Sequence, residues 1–196
     1  MVGFFERMMI TRQLRFSDGR IELFNRRFAI SGEFISTHIG EINDDPEAVA
    51  KIYRSSKEAS FLFFMEIGSK YKFSVNDFIN WELDVNKFCG WGIIKYEKID
   101  KEEKIIVVSV KDSPTGLFLK GKTDLACDHI TRGLIAGGAK AAFNEDMECL
   151  EIECIAKGDP QCLFLATHAG GLKSRYKEIY ERQDRVSWEQ QAYASF

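Results

Sequence analysis

Four of the five cysteines in this chain fall between Cys127 and Cys162, and the stretch closes with Glu151-x-x-Cys154-x-Ala156-x-Gly158-Asp159-Pro160-Gln161-Cys162-x-Phe164. Thiols and a carboxylate at this density admit three chemistries. They can hold a metal ion, cycle between thiol and disulfide, or sit as small buried hydrophobes. For a metal, Glu151, Cys154 and Cys162, with Cys127 arriving from a preceding helix, would offer three thiolates and one carboxylate, a set that suits tetrahedral zinc. Four protein ligands close the coordination sphere, so the site would be structural and would brace a helix against a hairpin. For redox work, Cys154 lies opposite Cys162 across a turn near Gly158, and a cross-strand disulfide is open to them. One geometric condition attaches to the metal reading. Residues three apart on a regular strand face opposite sides, so Glu151 and Cys154 converge only if a bulge re-aims one of them. Without a bulge, Cys149 shares a face with Glu151 and becomes the rival ligand.

The elements that must position these residues are legible in outline. Ser17-Asp18-Gly19 reads as the turn of a hairpin between 12–16 and 20–24. Phe34, Ile35, His38, Ile39 and Ile42 recur at helical spacing. Asp44-Asp45-Pro46 starts a helix that runs to about Tyr71, with Val49, Ile52, Tyr53, Ser56, Ser60, Phe63, Phe64 and Ile67 on its inner face. Ser74 caps a third helix carrying Phe78, Trp81, Val85 and Phe88. Two strands, 93–99 and 104–110, flank a charged turn, and 113–116 reads as a loop. A helix is expected over 123–143, then a hairpin of 147–156 and 162–168, then a helical tail from Lys173 to about Gln191. Turns this short join antiparallel strands, so the expected class is α+β, an antiparallel sheet packed against helices. We divide the chain into a single domain over 1–170 and a C-terminal helical extension over 171–196.

Composition excludes several classes. The chain has 196 residues, 45% hydrophobic and 29% charged, which permits a sizeable core. Its net charge of −3 gives no bulk positive field for nucleic acid. The N-terminus lacks the apolar run of a signal peptide, and the most apolar stretch, 59–67, is too short to span a bilayer. A cytoplasmic location is expected, without nucleic-acid or membrane partners. The odd number of cysteines argues against a disulfide framework there. No strand–Gly-rich loop–helix unit or redox-cofactor motif is visible, so an enzyme is the less favoured class.

Among the 16 Phe and three Trp, Phe78, Trp81, Phe88 and Trp91 are candidate walls of an apolar ligand pocket. His129, two residues beyond Cys127 on the expected helix, would point away from it and is read as a surface histidine. His38 and His168 have no partners that suggest catalysis. Gly133 and Gly137 are read as sites of close helix packing.

Cys127-x-x-Ile130-x-x-Gly133-x-x-x-Gly137 followed by Glu151-x-x-Cys154-x-Ala156-x-Gly158-Asp159-x-x-Cys162-x-Phe164 resembles the signature, over 127–164, of the 4-vinyl reductase domain family. That family is related in fold to TRAPP vesicle-tethering subunits and to haem NO-binding domains. The resemblance implies a zinc ion on Cys127, Glu151, Cys154 and Cys162, with Cys149 outside the set. It also implies a stand-alone module that binds a hydrocarbon-like, apolar or aromatic small molecule, forms a homodimer and signals through a protein partner. A thiol-based redox sensor is the alternative, and a reductase acting on a vinyl tetrapyrrole is a further one. The polar residues by which phenol-sensing members grip a hydroxyl are not matched here, and neither a phosphate-binding loop nor a helix-turn-helix accompanies the signature.

Overall fold

The structure, a computed structural model, describes residues 4–17, 20–28, 33–72 and 74–183. They group into two compact units, 1–32 and 33–196. In the first, helix α1 (Phe4–Ile10) precedes an antiparallel meander of β1 (Leu14–Ser17), β2 (Arg20–Leu23) and β3 (Arg26–Phe28). The expected hairpin is β1–β2, with Ser17 opposite Arg20; its turn residues Asp18 and Gly19 lie outside the described residues. The β2–β3 turn is tight, with Phe24 and Asn25 both at positive φ, as a two-residue hairpin of right-handed twist requires.

The second unit begins with α2 (Phe34–Ile42) and the long α3 (Pro46–Tyr71). The start of α3 is fixed as its sequence dictates: the Asp45 carboxylate accepts from the N–H groups of Glu47 (2.9 Å) and Ala48 (3.2 Å), ahead of Pro46 in the first turn. Helix α4 (Val75–Cys89) starts with a reciprocal box in which Ser74 and Asp77 satisfy each other's N–H groups (2.9 and 3.2 Å). Strands β4 (Ile93–Asp100) and β5 (Ile105–Lys111) follow, then α5 (Pro114–Phe118), α6 (His129–Phe143), β6 (Glu148–Glu153), β7 (Cys162–Thr167), α7 (Ala169–Arg175) and α8 (Lys177–Gln183). The sheet is antiparallel throughout, in the order β4-β5-β7-β6. The fold class is therefore α+β, antiparallel sheets packed against helices, as the sequence implies.

Both faces of this sheet are covered. Val108, Val110, Cys149, Phe164 and Ala166 join the core that includes Tyr53, Ile135 and Ala136 of α3 and α6. Leu150 and Leu165, pointing the other way, pack with Leu172 of α7 and Tyr180 of α8. Helices α3 and α6 approach backbone to backbone. A Cβ on Gly133 would stand 2.6 Å from the Tyr53 carbonyl oxygen, and one on Gly137 would strike that of Lys57.

Three local expectations are corrected. The 113–116 loop is the start of α5, because Ser113 Oγ accepts from Gly116 N–H (3.1 Å) with Pro114 at the first helical position. Helix α6 begins at His129, not near Thr123. The tail breaks at Tyr176 into α7 and α8, and its extent beyond Gln183 lies outside the described residues.

Because the α3–α6 approach leaves no room for a methyl group, Gly137→Ala is expected to cost about 2–3 kcal/mol. Gly170→Ala on α7, where an added Cβ meets nothing within 4 Å, is expected to be neutral or stabilising. Urea denaturation midpoints of the two variants check this, and equal midpoints would refute the close-packing account.

Candidate metal centre

The residues of the cluster come from three separate segments. Glu151 lies on β6, Cys162 opens β7, and Cys127 stands in the non-helical segment leading into α6. The expectation that Cys127 sits on a helix is corrected: α6 starts two residues later, after Asp128. The convergence of Glu151 and Cys154 does rest on a bulge. The β6–β7 register slips by one residue, Glu151 opposing Phe164 but Glu153 opposing Leu163. Past the bulge the chain makes a single 3-10 turn, Ile155–Lys157, ended by Gly158 at φ +101°. The Asp159 carboxylate accepts from Cys154 N–H at 2.7 Å and locks this turn.

The ligand atoms of Glu151, Cys154 and Cys162 all lie within 4.8 Å of one another, and this buried group could hold a metal ion. Cys127 Sγ lies 3.7 Å from Cys154 Sγ; two sulfurs at about 2.3 Å from a tetrahedral ion would be separated by about 3.8 Å. Cys127, Cys154 and Cys162 are each 0% exposed and Glu151 is 1%. One oxygen of Glu151, Oε2, accepts from Asp128 N–H at 2.9 Å. The other, Oε1, is buried with no hydrogen-bond partner among the described residues. A buried acceptor left open costs on the order of 1–3 kcal/mol, and more when charged.

Electrostatics points the same way. Burial, reinforced by the neighbouring Cys154 and Asp128, pushes the Glu151 carboxyl well above the usual carboxylate range. The thiols of Cys127 and Cys162 are pushed up because both are hydrogen-bonded to Cys154, and burial adds to this. Cys154 moves down for the same reason, since it receives those two bonds. Asp128 is pushed up by burial, against the bonds it accepts from Ser113 and from Thr131 (2.8 Å). Protons are thus held among sulfurs and carboxyls that have no cation beside them, and a metal ion is what would displace those protons.

The other sequence candidates fall elsewhere. Cys149 is buried in the core and outside the ligand group. His129 is corrected from surface to interior. It is 3% exposed, its Nε2 lies 2.8 Å from Asn43 Oδ1, and burial pushes it down to about 3, so the ring is neutral. The helical phase that turned it outward does not apply, because the helix begins at His129 itself. His38 and His168 stand at the surface beside Glu41 (3.4 Å) and Glu145 (3.1 Å). Trp81 is buried, its ring 5.3 Å from that of Phe63 and 6.0 Å from that of Phe64. Trp91 lines a crevice between α4, α6 and the sheet, together with Glu82, Tyr96, Val108 and Ile135. Next to it a cavity of about 30 Å³ reaches Phe64, Ile106 and Gly138, again with Glu82 and Tyr96. The side chains of Phe78 and Phe88 lie outside the described residues.

Sequence reasoning missed Asp128, whose N–H holds Glu151, and the Glu82–Tyr96 hydrogen bond in the crevice. Asp128-x-x-Thr131 at a helix start was the available signal for the first. Nothing local marks the second.

Comparison with known proteins agrees with this geometry. Residues 106–168 match the 4-vinyl reductase domain model, and that span contains Cys127, Glu151, Cys154 and Cys162. The phenol-responsive sensory domain of the transcription activator PoxR, solved with phenol, superposes with TM-score 0.68 at 16% identity, covering 81% of this chain and 86% of that one. A trafficking protein particle complex subunit 3 from Naegleria fowleri, covalently bound to palmitic acid, superposes with TM-score 0.50 at 16% identity, over 68% of this chain and 92% of that one. A vinyl-4-reductase family protein from Methanocaldococcus jannaschii gives 0.44 at 12% identity, over 71% and 96%. Comparison by sequence with curated proteins finds no match. At these identities the first two structures establish a shared fold. Residues 106–168, which carry the whole candidate metal centre, therefore belong to the 4-vinyl reductase domain family.

Proposed function

We propose that the chain is a small-molecule sensor module in which Cys127, Glu151, Cys154 and Cys162 hold a structural zinc ion. The observation that carries the metal reading is Glu151 Oε1, a buried carboxylate oxygen without a partner beside three buried sulfurs. Thiolate-rich sites with one oxygen suit zinc better than magnesium or calcium, which prefer oxygen throughout. The ion would tie the segment before α6 to β6 and β7. Burial weighs against the redox alternative, since sulfurs with no exposure meet oxidants slowly.

The ligand we assign to the crevice beneath α4 is an apolar or aromatic molecule. Support comes from its walls of Phe64, Trp91, Tyr96, Ile106 and Ile135 and from the fold shared with a phenol-responsive sensory domain. At about 30 Å³ the enclosed space matches the volume of one water, so a ligand enters as α4 moves outward. A cytoplasmic homodimer that passes the ligand state to a protein partner completes the reading, and light scattering across protein concentrations sizes it. No helix among the described residues is long and apolar enough to cross a membrane.

Two outcomes are expected. Protein purified without chelator carries one zinc per chain by native mass spectrometry. Cys154→Ser and Glu151→Gln lower that content and destabilise the fold by several kcal/mol. A metal-free wild type as stable as the chelated protein contradicts the assignment.

The second concerns Glu82, pushed by burial from 4.5 up to about 7 despite the opposing Tyr96 hydrogen bond. A carboxyl raised on folding takes up a proton. Its stabilising effect is complete below pH 4.5 and is lost as the pH rises through about 7, a change of up to about 3 kcal/mol. Denaturation midpoints of the wild type should fall across that window relative to Glu82→Gln. Parallel profiles for the two proteins would remove Glu82 from the crevice's interior.

A further inference from the structure

Glu151 is held from behind as firmly as from the front. It lies on β6, an edge strand, so alternate backbone groups of that strand face outward with no neighbouring strand to meet them. The outward N–H of Cys149 donates to the Tyr53 hydroxyl of α3 at 3.0 Å. Both backbone groups of Glu151 go to one side chain. Gln183, at the end of α8, accepts from Glu151 N–H at 3.0 Å and donates to Glu151 C=O at 2.6 Å. Its amide does what an added strand residue would do.

Gln183 is itself fixed. Its Oε1 also accepts from Arg132 Nη1 at 2.8 Å, and the Arg132 guanidinium lies 4.1 Å from the Tyr53 ring centroid. Arg132 is 2% exposed and Gln183 9%. Arg132 stands one turn beyond Asp128, its N–H bonded to Asp128 C=O at 2.9 Å, and Asp128 N–H holds the Glu151 carboxylate. A closed circuit results: Glu151 carboxylate, Asp128, Arg132, Gln183, Glu151 backbone. Tyr180 of α8 packs on Leu150 and Leu165 of the same sheet, so the helix can seat fully only when β6 keeps its bulged course.

We propose that Gln183 is a positioning residue for the metal centre, and that metal occupancy and the seating of α8 form one coupled equilibrium. The inference rests on the metal reading above and extends it to regulation. Removing the ion leaves Glu151 a buried carboxyl without its counter-charge. Its relaxation shifts the backbone that Gln183 clasps, and α8 loosens. Linkage is reciprocal: the factor by which zinc favours seated α8 equals the factor by which seated α8 favours zinc.

The test measures both directions on the full chain. Zinc affinity is read by competition with a chelator for the wild type, Gln183→Met, which keeps length and loses the amide, and Lys177→Ala, an exposed change on the same helix. Amide hydrogen exchange over 177–182 is read in zinc-loaded and chelated wild type. Gln183→Met should weaken zinc binding about tenfold, within the range for residues that support metal ligands, while Lys177→Ala leaves it unchanged. Exchange in α8 should rise by a similar factor on chelation. A Gln183→Met protein that is less stable but binds zinc as the wild type does would make the clasp merely structural and overturn the proposal. So would zinc-bound wild type whose α8 exchange ignores chelation. The exchange arm uses wild type only and stands even if the variant does not fold. Failure of the wild type to bind zinc at all would overturn the metal reading, and this inference with it.

Discussion

The burial of Glu151 is the constraint on which the rest of the structure turns. An ionised carboxylate placed 1% exposed among three thiols is strongly disfavoured unless it is protonated, hydrogen-bonded or paired with a cation. The chain meets part of that demand with the Asp128 N–H. The remaining oxygen, and the sulfurs that share protons around it, account for the cluster as a cation site rather than as ordinary core. The bulge after Glu151, the 3-10 turn, Gly158 at positive φ and the Asp159 lock all bring Cys154 and Cys162 to face it.

A second buried charge shows how the same problem is solved without a metal. Lys57 of α3 reaches Glu148 at 2.6 Å and Asp146 at 3.0 Å, and the Tyr53 hydroxyl donates to the other Glu148 oxygen. That carboxylate, three residues from Glu151 on the same strand, has a cation supplied by its own chain. Glu151 has none, although Arg132 lies nearby, because the Arg132 guanidinium is committed to Gln183 and to the Tyr53 ring. The contrast separates a structural ion pair from a site built for an incoming ion. At the opposite edge of the sheet, β4 breaks its register between Tyr96 and Lys98 and carries the Lys95–Glu97 pair at 2.6 Å. Both edges are thereby poor templates for strand addition.

Much of this was legible in the sequence where the signal is local. The cap and Pro46 of α3, the Ser74 box of α4, the strand pairs and the need for a bulge between Glu151 and Cys154 follow from propensity and period. Gly133 and Gly137 announced close packing, and the backbone of α3 lies against both. What failed were readings in which tertiary partners decide. The apolar and small residues over 123–128 continue a helical pattern, yet the chain there stays non-helical. Asp128 is occupied by Ser113 and Thr131, and its N–H is spent on Glu151. The phase of His129 went wrong with that boundary. Gln183 looked like part of a charged tail, because a side-chain amide that completes a strand edge leaves no periodic trace.

X-ray absorption at the zinc edge of protein purified without chelator tests the central claim most directly. The account predicts bound zinc with three sulfur neighbours at about 2.3 Å and one oxygen at about 2.0 Å. A spectrum with only nitrogen and oxygen neighbours, or a protein without zinc, would contradict it.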